Sequence, residues 1–351
     1  MRRSWSPRGE VCGLRGLRVY LSSSRSGSLA GASNHFPQRL TSEFARVASA
    51  RKIPIIGLGA AGHQTHPAAD LRMSTVLETI DGGTRYLEKR GIDDARRNMQ
   101  MLVAHQLGCT RMDLYLQFDR PVEESDLSPL RETLKKRGEG IPIQHLLGTV
   151  WFHQHEFKTD ARALIPRPET EELAEWILQW ELPAAQLILD MGCGSGVLGL
   201  TLAAARPGWQ VTLADVSPDA LDLARENATA LEILNASFLA SDLFTAIDGR
   251  FDGIVANLPY VPENDRATLT REVMHDPALA LFSGADGLDL IRRFIPEAFH
   301  RLNPGGWLVL EIGHDQASQV AEILKACAFT AIEVKTDLSG VPRFPFAKRG
   351  S

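Results

Sequence analysis

The sequence predicts an α/β protein in which a small helical domain and a linking β-hairpin precede a seven-stranded, mostly parallel, doubly wound sheet. Three observations lead to this prediction. From residue 186 onward, short apolar runs alternate with segments of helical periodicity, as in a parallel sheet covered on both faces. One such run, 187–191, leads into a glycine-rich turn and a helix. Another, 253–256, stops abruptly at Asn257-Leu258-Pro259-Tyr260.

The predicted strands are short, and helices separate most of them. In chain order they span residues 186–191, 210–214, 237–240, 253–256, 307–312, 331–334 and 344–347. The last two lie too close together for a crossover helix, so we expect them to pair antiparallel. We assign this sheet domain to residues 166–351.

Residues 1–72 form a basic segment without hydrophobic periodicity, which we expect to be disordered. It contains eleven Lys and Arg against three Asp and Glu, and the whole chain carries −5, so residues 73–351 carry −13. Two interpretations stay open: an organelle-targeting presequence, or an extension upstream of a real start at Met73. We favour the second, because helical signals begin directly after Met73. The protein is then expected to be cytoplasmic, and mitochondrial if the segment is a presequence.

Residues 73–140 predict a helical domain. Its four helices begin near residues 75, 93, 110 and 124. Thr75 and Glu78 have the spacing of a capping box, and Gly108 is a typical stop for the second helix. Such a unit can serve dimerisation, substrate docking or closure of a site, and we assign it to substrate docking.

Residues 141–165 predict a β-hairpin linker. Its strands are expected at 149–152 and 156–158, with a third at 163–165. His153 and His155 share one face of this hairpin, but no third ligand is near, so a solvated pair is favoured over a metal site.

A helix opening at Pro168 follows the hairpin, since proline suits a first turn. Glu171 and Glu172 are read as acids that favour the positive end of the helix dipole. Arg167 and Glu169, next to two prolines, are instead candidates for shaping a site.

The composition excludes several classes of protein. With 44% hydrophobic and 23% charged residues, the chain is typical of a soluble globular protein. No apolar run approaches the roughly 20 residues of a membrane span. The acidic balance of residues 73–351 disfavours a protein that clamps nucleic acid backbones. The cysteines have no metal or redox spacing, which predicts reduced thiols; they are Cys12, Cys109, Cys193 and Cys327.

The glycine-rich turn indicates a ligand site. Gly192, Gly194 and Gly196 permit positive φ and a close approach of a ligand to the backbone, and the following helix offers free N–H groups. Their spacing is tighter than that of the dinucleotide fingerprint. Asp190, just before them, would repel a pyrophosphate but suits a cationic amino-acid group.

Two further strand ends carry acids. Asp215 closes the second strand, where a carboxylate can accept both hydroxyls of a ribose. Asp242 and Leu243 follow the third strand, where an acid and an apolar side chain can hold the amino group and the face of an adenine. Each acid alone is as consistent with a cap as with a ligand, but in this order they describe S-adenosylmethionine.

Asn257-Leu258-Pro259-Tyr260 places an amide and an aromatic ring where open α/β sheets bind ligands. A plain loop after a strand is the alternative. As a site, the tetrapeptide suits a flat polar group.

These residues resemble the class I S-adenosylmethionine-dependent methyltransferases, a Rossmann-like fold. The tetrapeptide resembles the Asn-Pro-Pro-Tyr motif of members that methylate planar nitrogens. Other segments are similar to the release-factor glutamine N5-methyltransferase family: 142–148 (Pro-Ile-Gln-His-Leu-Leu-Gly), 164–171 (Leu-Ile-Pro-Arg-Pro-Glu-Thr-Glu), 279–288, 310–313 (Leu-Glu-Ile-Gly) and 337–343 (Asp-Leu-Ser-Gly-Val-Pro-Arg). The resemblance covers about residues 73–348.

The resemblance implies methylation of the glutamine in the Gly-Gly-Gln motif of peptide chain release factors, which tunes translation termination. It implies a release factor as partner, no direct nucleic acid contact, no membrane, no metal and a monomer. Cofactor contacts are expected from Asp190, Met191, Gly192, Cys193, Gly194, Asp215, Asp242, Leu243 and Asn257. Substrate contacts are expected from Asn257, Leu258, Pro259 and Tyr260, with Asn257, Pro259 and Tyr260 catalytic. For a glutamine substrate, the Asn257 oxygen and the Leu258 carbonyl would accept the two N–H bonds of the amide, and Tyr260 would pack on its face.

Two departures and three alternatives stay open. Leu258 replaces the usual Pro, which leaves the backbone φ less restricted, and His275-Asp276-Pro277 replaces a more usual Glu-Pro and is assigned no role. The alternatives are a ribosomal-protein glutamine methyltransferase, a nucleic-acid amino-group methyltransferase and a non-catalytic cofactor-binding adaptor.

Overall fold

Residues 74–351 are described by the computed structural model, and the predictions for residues 1–72 lie outside them. Along this part of the chain, seven strands form one sheet in the order β5-β4-β3-β6-β7-β9-β8. Its strands are β3 (Leu187–Met191), β4 (Gln210–Asp215), β5 (Ala236–Ala240), β6 (Phe251–Ala256), β7 (Leu302–Leu310), β8 (Phe329–Thr336) and β9 (Pro342–Arg349).

The first five of these strands pair parallel, and β9 runs antiparallel to both β7 and β8. The predicted fold class and the antiparallel pairing of the last two strands are therefore confirmed. The chain winds outward from β3 to β5 and then returns to β6 on the other side of β3. The strand order thus reverses between β3 and β6, and ligands of open α/β sheets bind at such a reversal.

Helices cover both faces of the sheet because successive strand residues point to opposite faces. Ile188 and Val255 belong to one buried cluster, and Leu189 and Ile254 to another. The helices that flank the strands are α6 (Pro168–Leu178), α7 (Val197–Ala205), α8 (Pro218–Ala230), α9 (Asp289–Arg301) and α10 (Ala317–Ala326).

A helical layer precedes the sheet and has its own apolar core. Within the described residues it consists of α1 (Val76–Glu88), α2 (Ala95–Gln106), α3 (Arg111–Tyr115), α4 (Glu124–Gly138) and α5 (Ile143–Leu147). The predicted capping box is present, with Thr75 Oγ1 accepting from Glu78 N–H. Helix α5 was not predicted, because five residues are too few to show a helical period; buried Ile143 joins it to the same core.

A two-stranded hairpin joins the helical layer to the sheet. It pairs β1 (Thr149–Phe152) with β2 (His155–Lys158) antiparallel. The third strand predicted at 163–165 is wrong, since these residues are irregular. The backbone of Lys158 is bound instead by the side chain of Asn227 on α8, with its N–H 2.7 Å from Asn227 Oδ1. This contact fixes the hairpin against the sheet domain.

No helix among residues 74–351 combines the length and the apolarity that crossing a membrane requires.

Candidate functional site

A cavity of about 380 Å³ opens where β3, β4 and β6 end. This is the reversal point of the strand order, and the volume is within the usual range for a small-molecule site. Eleven of the twelve predicted site residues line it: Asp190, Met191, Gly192, Cys193, Gly194, Asp215, Asp242, Leu243, Asn257, Leu258 and Pro259. The structure therefore brings together side chains that the sequence spreads over 70 positions.

The glycine-rich turn adopts the conformations that its sequence predicts. Gly192, Gly194 and Gly196 have φ of 70°, 54° and 83°, the left-handed region in which only glycine is unstrained. Gly192 N–H donates to Ala214 O at 2.8 Å, which ties the turn to the end of β4. A Cβ on Gly192 would lie 2.8 Å from Leu258 Cδ2. The turn thus packs directly against the tetrapeptide.

Asp190 is buried at the end of β3, with 1% of its surface exposed. Its Oδ2 accepts from Gly199 N–H on α7 at 2.8 Å, so one of the helix N–H groups expected to be free is occupied. Burial, together with the nearby charge of Asp215, raises the pKa of Asp190 to about 7. The carboxyl is therefore held in place by the helix while its charge lacks full compensation.

Asp215 ends β4 and is held by two backbone donors. Its Oδ2 accepts from Gly194 N–H and its Oδ1 from Ser217 N–H, both at 2.9 Å. Burial raises the pKa of Asp215, although these hydrogen bonds oppose the shift. The carboxylate orients the glycine turn, and its remaining lone pairs can accept hydroxyl donors.

Asp242 and Leu243 differ in exposure. Leu243 is buried, with φ of 48°, whereas Asp242 is half exposed and accepts from Arg293 on α9 at 3.0 Å. Arg293 also lines the cavity. An apolar side chain and a paired carboxylate therefore form the wall at the end of β5.

The cavity suits a cationic ligand. Its arginines are paired with acids: Arg162 with Asp160 and Glu226, Arg167 with Asp276, and Arg293 with Asp242. By contrast, Asp190 and Asp215 form no ion pair with Lys or Arg in the described residues, and their oxygens accept backbone N–H groups. An ammonium or sulfonium group would supply the missing positive charge, which fits S-adenosylmethionine.

Asn257 follows β6 and is held from behind. Its Nδ2 donates to Thr170 Oγ1 at 3.0 Å, and Thr170 Oγ1 donates to Glu311 Oε2 at 2.7 Å. Glu311 is 1% exposed, and burial raises its pKa to about 7. Thr170 lines the cavity beside Asn257. With Nδ2 engaged, the Asn257 oxygen is the end of the amide left for a ligand.

Of the other residues of the tetrapeptide, two line the cavity and one does not. Leu258 is buried against the glycine turn, and Pro259 lines the cavity. Tyr260 does not line the cavity. Its carbonyl accepts from Gln316 Nε2 at 2.9 Å, and burial together with the charge of Glu311 raises the pKa of its hydroxyl. Packing of Tyr260 on a flat ligand therefore stays a prediction.

The sequence analysis assigned no site role to three buried polar residues: Thr170 in the cavity wall, Glu311 hydrogen-bonded to it, and Asp276. Asp276, which was assigned no role, accepts from Ile165 N–H at 3.0 Å and from Arg167 at 2.5 Å. It thereby fixes the segment that carries Pro166 and Arg167 into the cavity wall. Two signals were available for Glu311: it is an isolated acid in the apolar run 307–312, and it lies in the family-like segment 310–313.

Both histidines of the hairpin are partly exposed, as expected of a solvated pair. His153 is partly buried and its Nε2 lies 2.9 Å from Glu175 Oε2. Among residues 74–351, no three His, Cys, Asp or Glu side chains are grouped to hold a metal ion.

Comparison with known proteins identifies two parts of the chain. Residues 78–148 match the family model of the PrmC N-terminal domain, and residues 173–287 match that of the methyltransferase small domain. The first match covers the helical layer, and the second covers the strand ends that line the cavity.

Curated relatives match almost from end to end. A release factor glutamine methyltransferase of Deinococcus radiodurans is 40% identical over 274 residues, covering 78% of this chain and 98% of the relative. One of Mycolicibacterium smegmatis is 37% identical over 281 residues, covering 79% and 99%. Among solved structures, a methyltransferase from Pyrococcus furiosus overlaps 56% of this chain and 89% of its own, with 16% identity and a TM-score of 0.43.

Proposed function

The chain belongs to the release factor glutamine methyltransferase family, and we propose that it methylates the side-chain nitrogen (N5) of the glutamine in the Gly-Gly-Gln motif of a peptide chain release factor. S-adenosylmethionine supplies the activated methyl group. The observation that carries the proposal is the held amide of Asn257 at the cavity wall: its Nδ2 donates to Thr170 Oγ1, so its oxygen is the end left for a ligand.

The residues that would hold the methyl donor are those of the three strand ends. Asp190 would face its ammonium group, Asp215 its ribose hydroxyls, and Asp242 with Leu243 its adenine. Met191, Gly192, Cys193 and Gly194 would form the floor beneath it, where glycine permits a close approach.

A glutamine amide is a weak nucleophile, because its nitrogen lone pair is delocalised into the carbonyl. The protein therefore contributes chiefly by positioning and by stabilising developing positive charge. Asn257 Oδ1 and the Leu258 carbonyl would accept the two N–H bonds of the substrate, which turns the lone pair toward the methyl group. The substrate nitrogen would gain the methyl group as the bond between that group and the sulfonium sulfur breaks, leaving S-adenosylhomocysteine, and the nitrogen would then release one proton to solvent. Pro259 restricts the loop, and Tyr260 is proposed to pack on the amide.

The helical layer is proposed to dock the release factor. It contacts the site through the segment between Tyr260 and α9, because buried Arg137 at the end of α4 donates to Glu272 of that segment. Pro277, Leu279 and Ala280 of the same segment line the cavity. A protein held on the helical layer would therefore lie next to the cavity mouth.

The proposal also includes the domain limits 73–140, 141–165 and 166–351. It further includes a monomeric state, a cytoplasmic location and the lack of direct nucleic acid contact.

The test is methyl transfer from labelled S-adenosylmethionine to three acceptors offered together: a release factor with Gly-Gly-Gln, a ribosomal fraction and tRNA. We expect label on the release factor, and loss of that label when its motif glutamine is changed to alanine. Label confined to tRNA or to a ribosomal protein would overturn the proposal in favour of one of the two enzyme alternatives. Binding of S-adenosylmethionine without transfer to any acceptor would favour the cofactor-binding adaptor.

A further inference from the structure

A chain of three side chains runs from the cavity wall into the core behind it. Asn257 Nδ2 lies 3.0 Å from Thr170 Oγ1, which lies 2.7 Å from Glu311 Oε2. Thr170 is 4% exposed and Glu311 is 1% exposed, so water does not compete for these bonds. The three residues come from β6, α6 and β7 or the positions directly after them, which fixes them against one another.

The chemistry of these groups gives the chain a direction. A threonine hydroxyl has one proton to donate and lone pairs to accept with. An ionised carboxylate can only accept hydrogen bonds, so Glu311 accepts the one that the Thr170 hydroxyl donates. Thr170 can then interact with Asn257 only as an acceptor, and it must meet the NH₂ end of the amide. The side chain of Asn257 also opposes the rise in the pKa of Glu311, which favours the carboxylate. With Nδ2 held by Thr170, Asn257 Oδ1 is the end of the amide left for a ligand in the cavity.

We propose that Glu311 and Thr170 are positioning residues that determine which end of the Asn257 amide faces the substrate glutamine. This inference rests on the proposed function, because only a substrate with N–H donors requires the oxygen end. A reversed amide would place NH₂ against NH₂, and neither group could accept a hydrogen bond from the other.

The same chain can reverse when Glu311 takes up a proton. The carboxyl O–H would then donate to Thr170, and Thr170 would donate to Asn257 Oδ1, turning the NH₂ end into the cavity. The charged and titratable groups facing Glu311 are Arg343 on β9, Glu169 on α6 and Tyr260 after β6. Arg343 favours the carboxylate and Glu169 opposes it, while burial raises the pKa of Glu311 to about 7. The reversal is therefore expected near pH 7, where Glu311 changes its protonation state.

The first test compares two buried threonines. Thr170→Val removes the hydroxyl with little change of shape, and Thr170→Ser retains it. Thr201 on α7 is likewise buried, with 1% of its surface exposed, but its hydroxyl has no hydrogen-bond partner in the described residues and it does not line the cavity. Thr201→Val is therefore the matched control. We expect kcat on the release factor to fall about 100-fold in Thr170→Val, as for a misplaced reacting group. It should recover in Thr170→Ser and stay near wild type in Thr201→Val, with S-adenosylmethionine affinity unchanged in all three.

The second test is the pH dependence of kcat. It is measured at saturating S-adenosylmethionine, so that titration of Asp190 in the free enzyme does not contribute. In the wild type, kcat should fall as the pH drops through about 7, because Glu311 becomes protonated. Glu311→Gln cannot change charge, and its kcat should be lower and flat over roughly one pH unit on either side of that value.

The outcomes separate this inference from the proposed function. Absence of methyl transfer to the release factor by the wild type overturns the proposed function and the inference with it. Transfer by the wild type and equally by Thr170→Val overturns the positioning role alone. A pH profile of kcat in Glu311→Gln that equals the wild-type profile also overturns the positioning role alone. A fall of kcat in Thr170→Val with rescue by Thr170→Ser, together with the flat profile, supports it.

Discussion

At the scale of single residues, Asp190 shows how a buried carboxyl is kept available to a ligand. The N–H of Gly199 takes one lone pair of Oδ2 and fixes the side chain, while no Lys or Arg in the described part of the chain neutralises it. Burial raises its pKa to about 7. A carboxyl with a raised pKa favours the folded state at low pH, and this contribution is lost as the pH rises through about 7. Ionised Asp190 can bind a cationic ligand, but its buried charge then lowers the stability of the folded protein.

Replacing Asp190 by Asn should weaken S-adenosylmethionine binding and spare the fold. Asn still accepts the Gly199 N–H through its oxygen but lacks the charge, and a hydrogen bond to a charged group contributes about 1.5–3 kcal/mol, or roughly 10- to 100-fold in affinity. Calorimetric titration should also show that wild-type affinity falls as the pH drops below about 7, whereas the affinity of Asp190→Asn does not. Above about pH 7, the melting temperature of Asp190→Asn should not be lower than that of the wild type, because the substitution removes a buried charge.

Asp252 on β6 provides the matched control, because its side chain binds the opposite end of β3. Its Oδ2 accepts from Leu187 N–H at 2.8 Å, outside the cavity. Asp252→Asn should leave the affinity for S-adenosylmethionine unchanged. Equal affinities in Asp190→Asn and the wild type would show that Asp190 only caps α7.

At the scale of elements, α7 depends on a glycine inside the helix. A Cβ on Gly199 would lie 2.7 Å from Asp190 Oδ2 and 3.1 Å from Leu213 Cγ. The absence of a side chain is thus what allows β3 and α7 to approach closely enough for Asp190 to reach the helix backbone. The sequence predicts the strand, the glycine turn and the helix, but it does not mark Gly199, because the need for glycine arises only from contact with β3.

Gly199→Ala should therefore destabilise the protein and weaken S-adenosylmethionine binding. At a helical position where the added Cβ meets no other atom, a Gly→Ala change stabilises the protein by about 0.5–1 kcal/mol. A destabilising effect of Gly199→Ala would therefore identify the close contact between α7 and Asp190. Gly82 in α1 is such a position, since a Cβ there would meet nothing within 4 Å. In urea unfolding we expect Gly82→Ala to raise the midpoint and Gly199→Ala to lower it. A raised midpoint in both would contradict the close packing of α7 on Asp190.

At the scale of the whole molecule, the site is completed by contacts between residues far apart in the chain. Thr170 meets Asn257 across 87 positions and Glu311 across 141, and Asp276 meets Ile165 across 111. The strand pattern and the strand-end acids were predictable because they depend on local periodicity and on the edge where parallel strands end. Residues behind Asn257 were not, because no local pattern records which buried polar groups face each other. The missed helix α5 and the wrong strand at 163–165 lie where segments are too short for a periodicity.

The link between the helical layer and the cavity segment gives a prediction at this scale. Glu272→Ala leaves the buried Arg137 guanidinium without one acceptor and loosens that link. We expect KM for the full release factor to rise roughly fivefold or more, the effect of about 1 kcal/mol of coupling. Turnover of a short Gly-Gly-Gln peptide and affinity for S-adenosylmethionine should not change.

Glu263 lies in the same segment but pairs only with the exposed Arg266, so Glu263→Ala is the control and should behave as wild type. Equal rises of KM for protein and peptide in Glu272→Ala would contradict docking through the helical layer.

The measurement that most directly tests the account locates the methyl group by tandem mass spectrometry on the Gly-Gly-Gln peptide of a treated release factor, for the wild type and for Asn257→Ala. The account predicts methylation on the side-chain nitrogen of the glutamine by the wild type. It predicts none above background by Asn257→Ala, although this variant binds S-adenosylmethionine with nearly wild-type affinity. A methyl group on any other residue, or undiminished methylation by Asn257→Ala, would contradict it, and so would a collapse of S-adenosylmethionine affinity in that variant.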